Sequence, residues 1–300
     1  MQAEQVFEEH GPTARLCLDF VSNPALLLSH KSRVSNQISE LSLQSLLEIT
    51  KMSRDIQLDL SHRVILLRRR HVTNFQEFVL EPITQAVARQ LTLRLMQLER
   101  ISQLLAYRHL ERVSESRPMA GFVFESMAQV QFQKVIDLDL VPMVELLPDD
   151  RPRNALWTSV PSSIAPDLVA ITTIFIQCSP EGTVQYEGSV LNEFQPDVYY
   201  MPRASNQVGF DAFILVNQTL YIFQFCIADS HPIKAGIMDF FSQPNLKDKL
   251  QGMEWRFVFI IPRGETILCP RSRGDKIDEF WDRVSMFTAV FDPESIVEGN

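Results

Sequence analysis

Residues 210–234, FDAFILVNQTLYIFQFCIADSHPIK, contain two apolar runs joined by the polar pair Asn217 and Gln218, and no other segment constrains the fold as much. The pattern predicts strands over 210–216 and 220–227. Side chains alternate along a strand, so Leu220, Ile222, Gln224 and Cys226 share one face while Tyr221, Phe223 and Phe225 share the other. Both faces are apolar, as expected of a strand covered on both sides. A buried amide left unpaired costs about 1–3 kcal/mol, so Gln224 needs a partner or a task. The same holds for Asp211, which opens the preceding strand.

An acid on one strand beside a polar residue on its neighbour reproduces the layout of the PD-(D/E)XK nuclease core. In that core an acid and the acid of an (E/D)-x-K pair hold a divalent cation, and the lysine assists the attacking water. The chemistry needs hard oxygen ligands converging on Mg²⁺, which lowers the pKa of a bound water and offsets phosphate charge. Here the pair reads Gln224-Phe225-Cys226. An amide oxygen can still ligate a metal, but a thiol supplies no cation. Lys234, in His231-Pro232-Ile233-Lys234, is the expected substitute, offered from the start of a helix.

The runs YYMPRASNQVGFDAFI and LYIFQFCIADSHPIKAGIMDFF resemble the C-terminal region of retrotransposon-hot-spot and Crinkler-type proteins. Upstream, Ala120-Gly121-Phe122-Val123-Phe124-Glu125 resembles the helix that opens the nuclease-like domain of that family and carries its first acid. The resemblance implies a restriction-endonuclease-like domain with Glu125, Asp211 and Gln224 facing Mg²⁺; the family's strand lysine is absent, and Lys234 is the catalytic cation expected from its place beside the hairpin. HGPTARLCLDF and SHRVILLRRR resemble the end of the NTPase module that precedes this domain in such proteins. The chain nevertheless lacks G-x-x-x-x-G-K-[ST], so no phosphate cradle is present and no nucleotide binding is expected of it alone.

Charge divides the chain. Residues 61–117 hold ten arginines and five glutamates, a balance of +5, whereas residues 118–300 hold 13 basic and 24 acidic residues, a balance of −11. Clustered cations drive phosphate binding, so Arg68, Arg69 and Arg70, with His231, are the candidate nucleic-acid contacts. Cys17, Cys178, Cys226 and Cys269 are scattered and have no C-x-x-C or finger-like histidine spacing, which points to buried reduced thiols. The start MQAEQVFEEHGP lacks a basic n-region and an apolar h-region, and no apolar stretch approaches bilayer length, so an intracellular, non-membrane protein is expected.

The organisation expected is a mainly helical region, 1–117, followed by a nuclease-like domain, 118–300, of α/β or α+β class with a mixed sheet flanked by helices. Ile38, Leu41, Leu46, Ile49 and Met52 predict a helix over 38–56, with Ser39 and Ser42 as caps. Ser61 to Leu67 reads as a strand or helix edge, Pro82 as the first turn of a helix, and Val87, Leu91, Leu98, Ile101 and Leu105 as one packing stripe through 83–113. Beyond Pro118, a helix over 120–134 precedes strands at 168–177, 197–201, 210–216, 220–227 and 255–261. A helix over 234–243 makes the last strand a parallel crossover neighbour, and a helix over 278–287 covers the sheet.

Three functions follow, in order of preference. The first is a divergent nuclease fold of weak or absent activity acting as an intracellular effector or regulatory module with a protein partner. The second is an active Mg²⁺-dependent nuclease cleaving DNA or RNA. The third is a non-catalytic nucleic-acid-binding protein that uses the arginine-rich helices.

Overall fold

The computed structural model describes residues 6–7, 11, 14–49, 63–69, 78–146, 156–159, 174–186, 191, 193–202, 209–234, 236–270 and 275–295. The chain divides into two compact units, residues 1–127 with 297–300, and residues 128–296. Helices precede a large mixed sheet, an α+β arrangement.

In the first unit, α1 (Ala14–Ser22) leads into α2 (Pro24–Ser39) and α3 (Leu43–Ile49). Asn23 caps α2 by accepting from the N–H groups of Ala25 and Leu26, with Pro24 at the first helical position. Ser42 caps α3 reciprocally with Ser45: Ser45 N–H donates to Ser42 Oγ at 3.2 Å and Ser42 N–H to Ser45 Oγ at 3.4 Å. Ser39 caps nothing; its hydroxyl donates to Asn36 O at 2.8 Å. Helical geometry over 38–56 is thus split between α2 and α3, and residues 50–56 lie outside the described residues.

A hairpin of β1 (Ile65–Arg69) and β2 (Phe78–Pro82) follows, so Arg68 and Arg69 are strand residues. Pro82 closes β2 instead of opening a helix. Thr84 is the true cap of α4 (Gln85–Leu95), accepting from Val87 N–H at 3.2 Å. The stripe expected through 83–113 is interrupted at 96–99, where Gln103 Nε2 takes the carbonyl of Leu95 at 2.5 Å, and helix resumes as α5 (Arg100–Glu111). The interruption shifts the phase: α5 buries Leu104, Tyr107 and Leu110 and leaves Ile101 and Leu105 exposed. Helix α6 (Arg117–Phe132) runs across the division between the units.

The second unit is built on eight strands: β3 (Ile136–Pro142), β6 (Ile174–Cys178), β7 (Gly182–Tyr186), β8 (Val198–Pro202), β9 (Ala212–Val216), β10 (Thr219–Phe225), β11 (Glu254–Ile261) and β13 (Val284–Val290). Their order is β6-β3-β13-β11-β10-β9-β8-β7. A smaller sheet joins β4 (Val144–Leu146), β5 (Leu156–Thr158) and β12 (Leu268–Pro270), and three short helices, α7 (Gly236–Phe241), α8 (Pro244–Lys247) and α9 (Asp275–Arg283), fill the connections. The large sheet must curl. β6 and β7 stand at its opposite ends yet only residues 179–181 join them. Flat strands at about 4.8 Å spacing would separate those ends by roughly 33 Å, and such a connection reaches about 13 Å.

At the centre, β9 and β10 pair antiparallel through a two-residue turn in which Asn217 and Gln218 have φ of 48° and 65°, the left-handed pair of a type I′ hairpin. β10 then pairs parallel with β11 after the α7–α8 crossover. The helix expected over 278–287 is corrected: α9 ends at Arg283, and 284–290 is an interior strand parallel to β11. Phe132 of α6 meets Phe223 and Phe225 edge-on, each at 5.4 Å, on one face of the sheet. On the other face Phe213, Phe240, Phe241, Phe257 and Phe280 share the main core with Leu220, Ile222 and Cys226.

Candidate functional site

The hairpin register decides which side chains meet. Phe223 pairs with Ala212, so one step further along the antiparallel ladder Gln224 faces Asp211 on the same side of the sheet. Asp211 stands just before β9, where its N–H still donates to Phe223 O at 2.9 Å. Its Oδ2 accepts Gln224 Nε2 at 2.5 Å and the main-chain N–H of Phe225 at 2.9 Å. The carboxylate therefore supplies an acceptor for a strand N–H at the very end of the β9–β10 ladder. A carboxylate only accepts, so Gln224 must turn its amide nitrogen, not its oxygen, toward Asp211.

Two residues missed by the sequence reading complete this network. Gln129 of α6 donates through Nε2 to the main-chain oxygen of Asp211 at 3.2 Å, and its Oε1 accepts the Tyr199 hydroxyl at 2.6 Å. Asp211 and Gln224 are each 8% exposed, Gln129 1% and Tyr199 0%. The available signal was a glutamine set among Met127, Ala128, Val130 and Phe132, a polar residue on an otherwise apolar helix stretch.

His231 and Lys234 follow on the loop after β10. The His231 N–H donates to Leu268 O at 2.9 Å, and among the described residues its Nδ1 is buried without a hydrogen-bond partner. Burial lowers the pKa of His231 from its ordinary 6.5, Asp211 opposes this, and Lys234 reinforces it. The imidazole is neutral at neutral pH. Lys234 is exposed and lies two residues before α7. Cys226, at the place of the motif lysine, is a buried thiol whose sulfur accepts the Ala228 N–H at 3.3 Å. Burial, with the fields of Asp211 and Asp229, pushes its pKa up to about 11, and Cys269 rises to about 12 for the same main reason. Both thiols stay protonated and reduced in character.

Glu125 belongs to the first unit. Its Oε1 lies 3.0 Å from Arg89 Nη1 of α4, with side chains only 11% and 18% exposed. Arg68 pairs with Glu81 at 2.6 Å across the β1–β2 hairpin, and Arg69 ends β1 at the surface. Arg70 lies outside the described residues. Arg94 donates to Leu41 O at 3.0 Å, so several cations of the arginine-rich region are engaged within their own unit.

Among the described residues no three His, Cys, Asp or Glu side chains are placed to share a metal ion, and no helix is long and apolar enough to cross a membrane. No protein-family model matches the chain, and no curated protein or solved structure matches it.

Proposed function

We propose that residues 118–300 form a divergent, non-hydrolytic nuclease-like domain of the hot-spot and Crinkler type, serving as an intracellular effector or regulatory module. The observation that carries this reading is the state of Asp211. Its Oδ2 is hydrogen-bonded by both Gln224 Nε2 and Phe225 N–H, so the acid is used inside the sheet. What favours a nuclease-like ancestry is the antiparallel run β8–β9–β10, which follows α6 after β3–β7, then the crossover and the parallel β11, with the acid just before β9 and the amide opposite it on β10.

The donor set does not fit Mg²⁺. That ion requires near-octahedral oxygen coordination. Gln224 presents N–H to the acid, Cys226 is a protonated thiol, and Glu125 is neutralised by Arg89. Position 226, where the motif lysine would stand, holds a thiol.

The test is cleavage of plasmid, single-stranded DNA and RNA by the purified full chain in Mg²⁺, Mn²⁺ or EDTA, beside Asp211→Ala. The expected result is no metal-dependent cleavage. Metal-dependent cleavage that disappears in Asp211→Ala would overturn the reading in favour of an active nuclease.

A further inference from the structure

We propose that this chain associates with itself through the outer stripe of α5, which docks onto the outer face of the β3–β6 ribbon of a second copy. The inference goes beyond the nuclease-like reading and stands independently of it. On α5, Ile101 and Leu105 are 59% and 46% exposed, and Arg108 and Arg112 continue the same exposed line at helical spacing. Two large aliphatic side chains one turn apart, followed by two cations one turn apart, are the anchor pattern of a helix that lies on a partner surface.

A surface of complementary chemistry exists on the second unit. Alternation along β3 turns Asp137 and Asp139 outward, and β6, paired with it, sets Phe175 directly opposite Asp139. Phe175 is 59% exposed on an edge strand, a placement that natural sheets usually blunt or cover. One surface thus offers an apolar pair and two cations, the other an aromatic ring and two carboxylates.

The spacing also agrees. Arg108 and Arg112 are about 6 Å apart along a helix axis, and Asp137 and Asp139 about 6.7 Å apart along a strand. With Arg112 over Asp137 and Arg108 over Asp139, Leu105 follows next on the helix line, and Phe175 stands one strand spacing, about 4.8 Å, to the side of Asp139. Nucleic acid is the weaker occupant, since Ile101 and Leu105 contribute nothing to phosphate binding and Phe175 lies among acids. Because the two surfaces differ, the contact is heterologous: copies link head to tail, or close into a ring or a reciprocal dimer.

The experiment is sedimentation velocity of the full chain over a concentration series, with Arg108→Asp/Arg112→Asp and Asp137→Arg/Asp139→Arg prepared separately and as a mixture. The native chain is expected to self-associate, each swapped variant to do so about tenfold more weakly, and the equimolar mixture to recover association, because the unaltered Arg108 and Arg112 of one variant meet the unaltered Asp137 and Asp139 of the other and the two reversed surfaces also attract. Recovery also requires that each variant keep its unaltered surface folded. A native chain that stays monomeric throughout, swaps that leave association unchanged, or a mixture that fails to recover would each overturn the proposal. So would retention of a single-stranded DNA oligonucleotide through Arg108 and Arg112 by a chain that remains monomeric.

Discussion

The β1–β2 and β9–β10 hairpins solve the same problem by different means. β1–β2 is amphipathic: burial along its strands is uneven, and Arg68, 63% exposed at the side chain, pairs with Glu81 at the surface. Burial in β1 is graded along the strand, from Ile65, buried, to Leu67, Arg68 and Arg69, exposed, so a slip along the ladder would draw Arg68 away from Glu81 and move charged residues toward the buried end. β9–β10 is buried at every position of both strands. Apolar side chains cover both of its faces, and a slip would exchange one apolar face for another. What a slip would break is polar: the bond of Asp211 to Gln224, its bond to the Phe225 N–H, and the anchoring of its carbonyl by Gln129. Buried polar groups thus perform in β9–β10 the selection that the gradient of burial performs in β1–β2.

The strongest way to break this contrast is Asp211→Leu. It leaves the Phe225 N–H and the Gln224 amide buried without their acceptor, and each such group costs about 1–3 kcal/mol. The expected loss is therefore about 2–5 kcal/mol, read by denaturant unfolding together with faster hydrogen exchange over 219–225. Adding Gln224→Leu should return part of it, and no change in either measurement would show that the pair does not hold the register.

Tyr199→Phe removes one hydrogen bond and leaves Gln129 Oε1 without the hydroxyl, for about 1–3 kcal/mol. Exchange should quicken at the start of β9 as well as in α6; an effect restricted to β8 would separate Tyr199 from the network. Gln218→Gly acts in the opposite direction. Gln218 has a φ of 65°, which glycine adopts without strain, so about 0.5–1 kcal/mol of stabilisation is expected as a higher denaturation midpoint. Destabilisation would mean that the turn is held by side-chain contacts. The smallest effect belongs to the exposed hairpin. Arg68→Ala should cost no more than about 1 kcal/mol, because an exposed ion pair is screened by water and salt. A loss as large as that of Asp211→Leu, measured by exchange over 65–82, would erase the contrast between the hairpins.

Much of the second unit was legible locally. The strands at 210–216 and 220–227, the turn at Asn217-Gln218, the helix ending near Phe132 and the parallel strand at 255–261 all carry period, turn or length signals within a few residues. β13 was not legible. Ile277, Phe280, Trp281 and Val284 continue a helical spacing beyond Arg283, and only pairing with β11 on one side and β3 on the other makes 284–290 a strand. The stripe through 83–113 misled for a related reason. Periodicity does not register a three- or four-residue interruption that shifts the phase, so Ile101 and Leu105 read as core although they face outward. Within the candidate site, Asp211 and Gln224 were found because polar residues in apolar strands are conspicuous. Gln129 and Tyr199 were not, since a glutamine in a helix and a tyrosine in a strand are ordinary until the fold brings them together.

By itself the sequence determined that a doubly covered hairpin lies at the heart of the chain, that Asp211 and Gln224 sit across from each other in it, and that no cation occupies position 226. Those properties depend on alternation and a two-residue turn, interactions that act over a few residues. The tertiary structure alone decided that the amide nitrogen of Gln224 faces the acid, that Arg89 engages Glu125, and that β6 and β7 lie at the two ends of one curled sheet. These depend on pairings between residues tens of positions apart, where the free energy of closing the chain and filling the core outweighs any local preference.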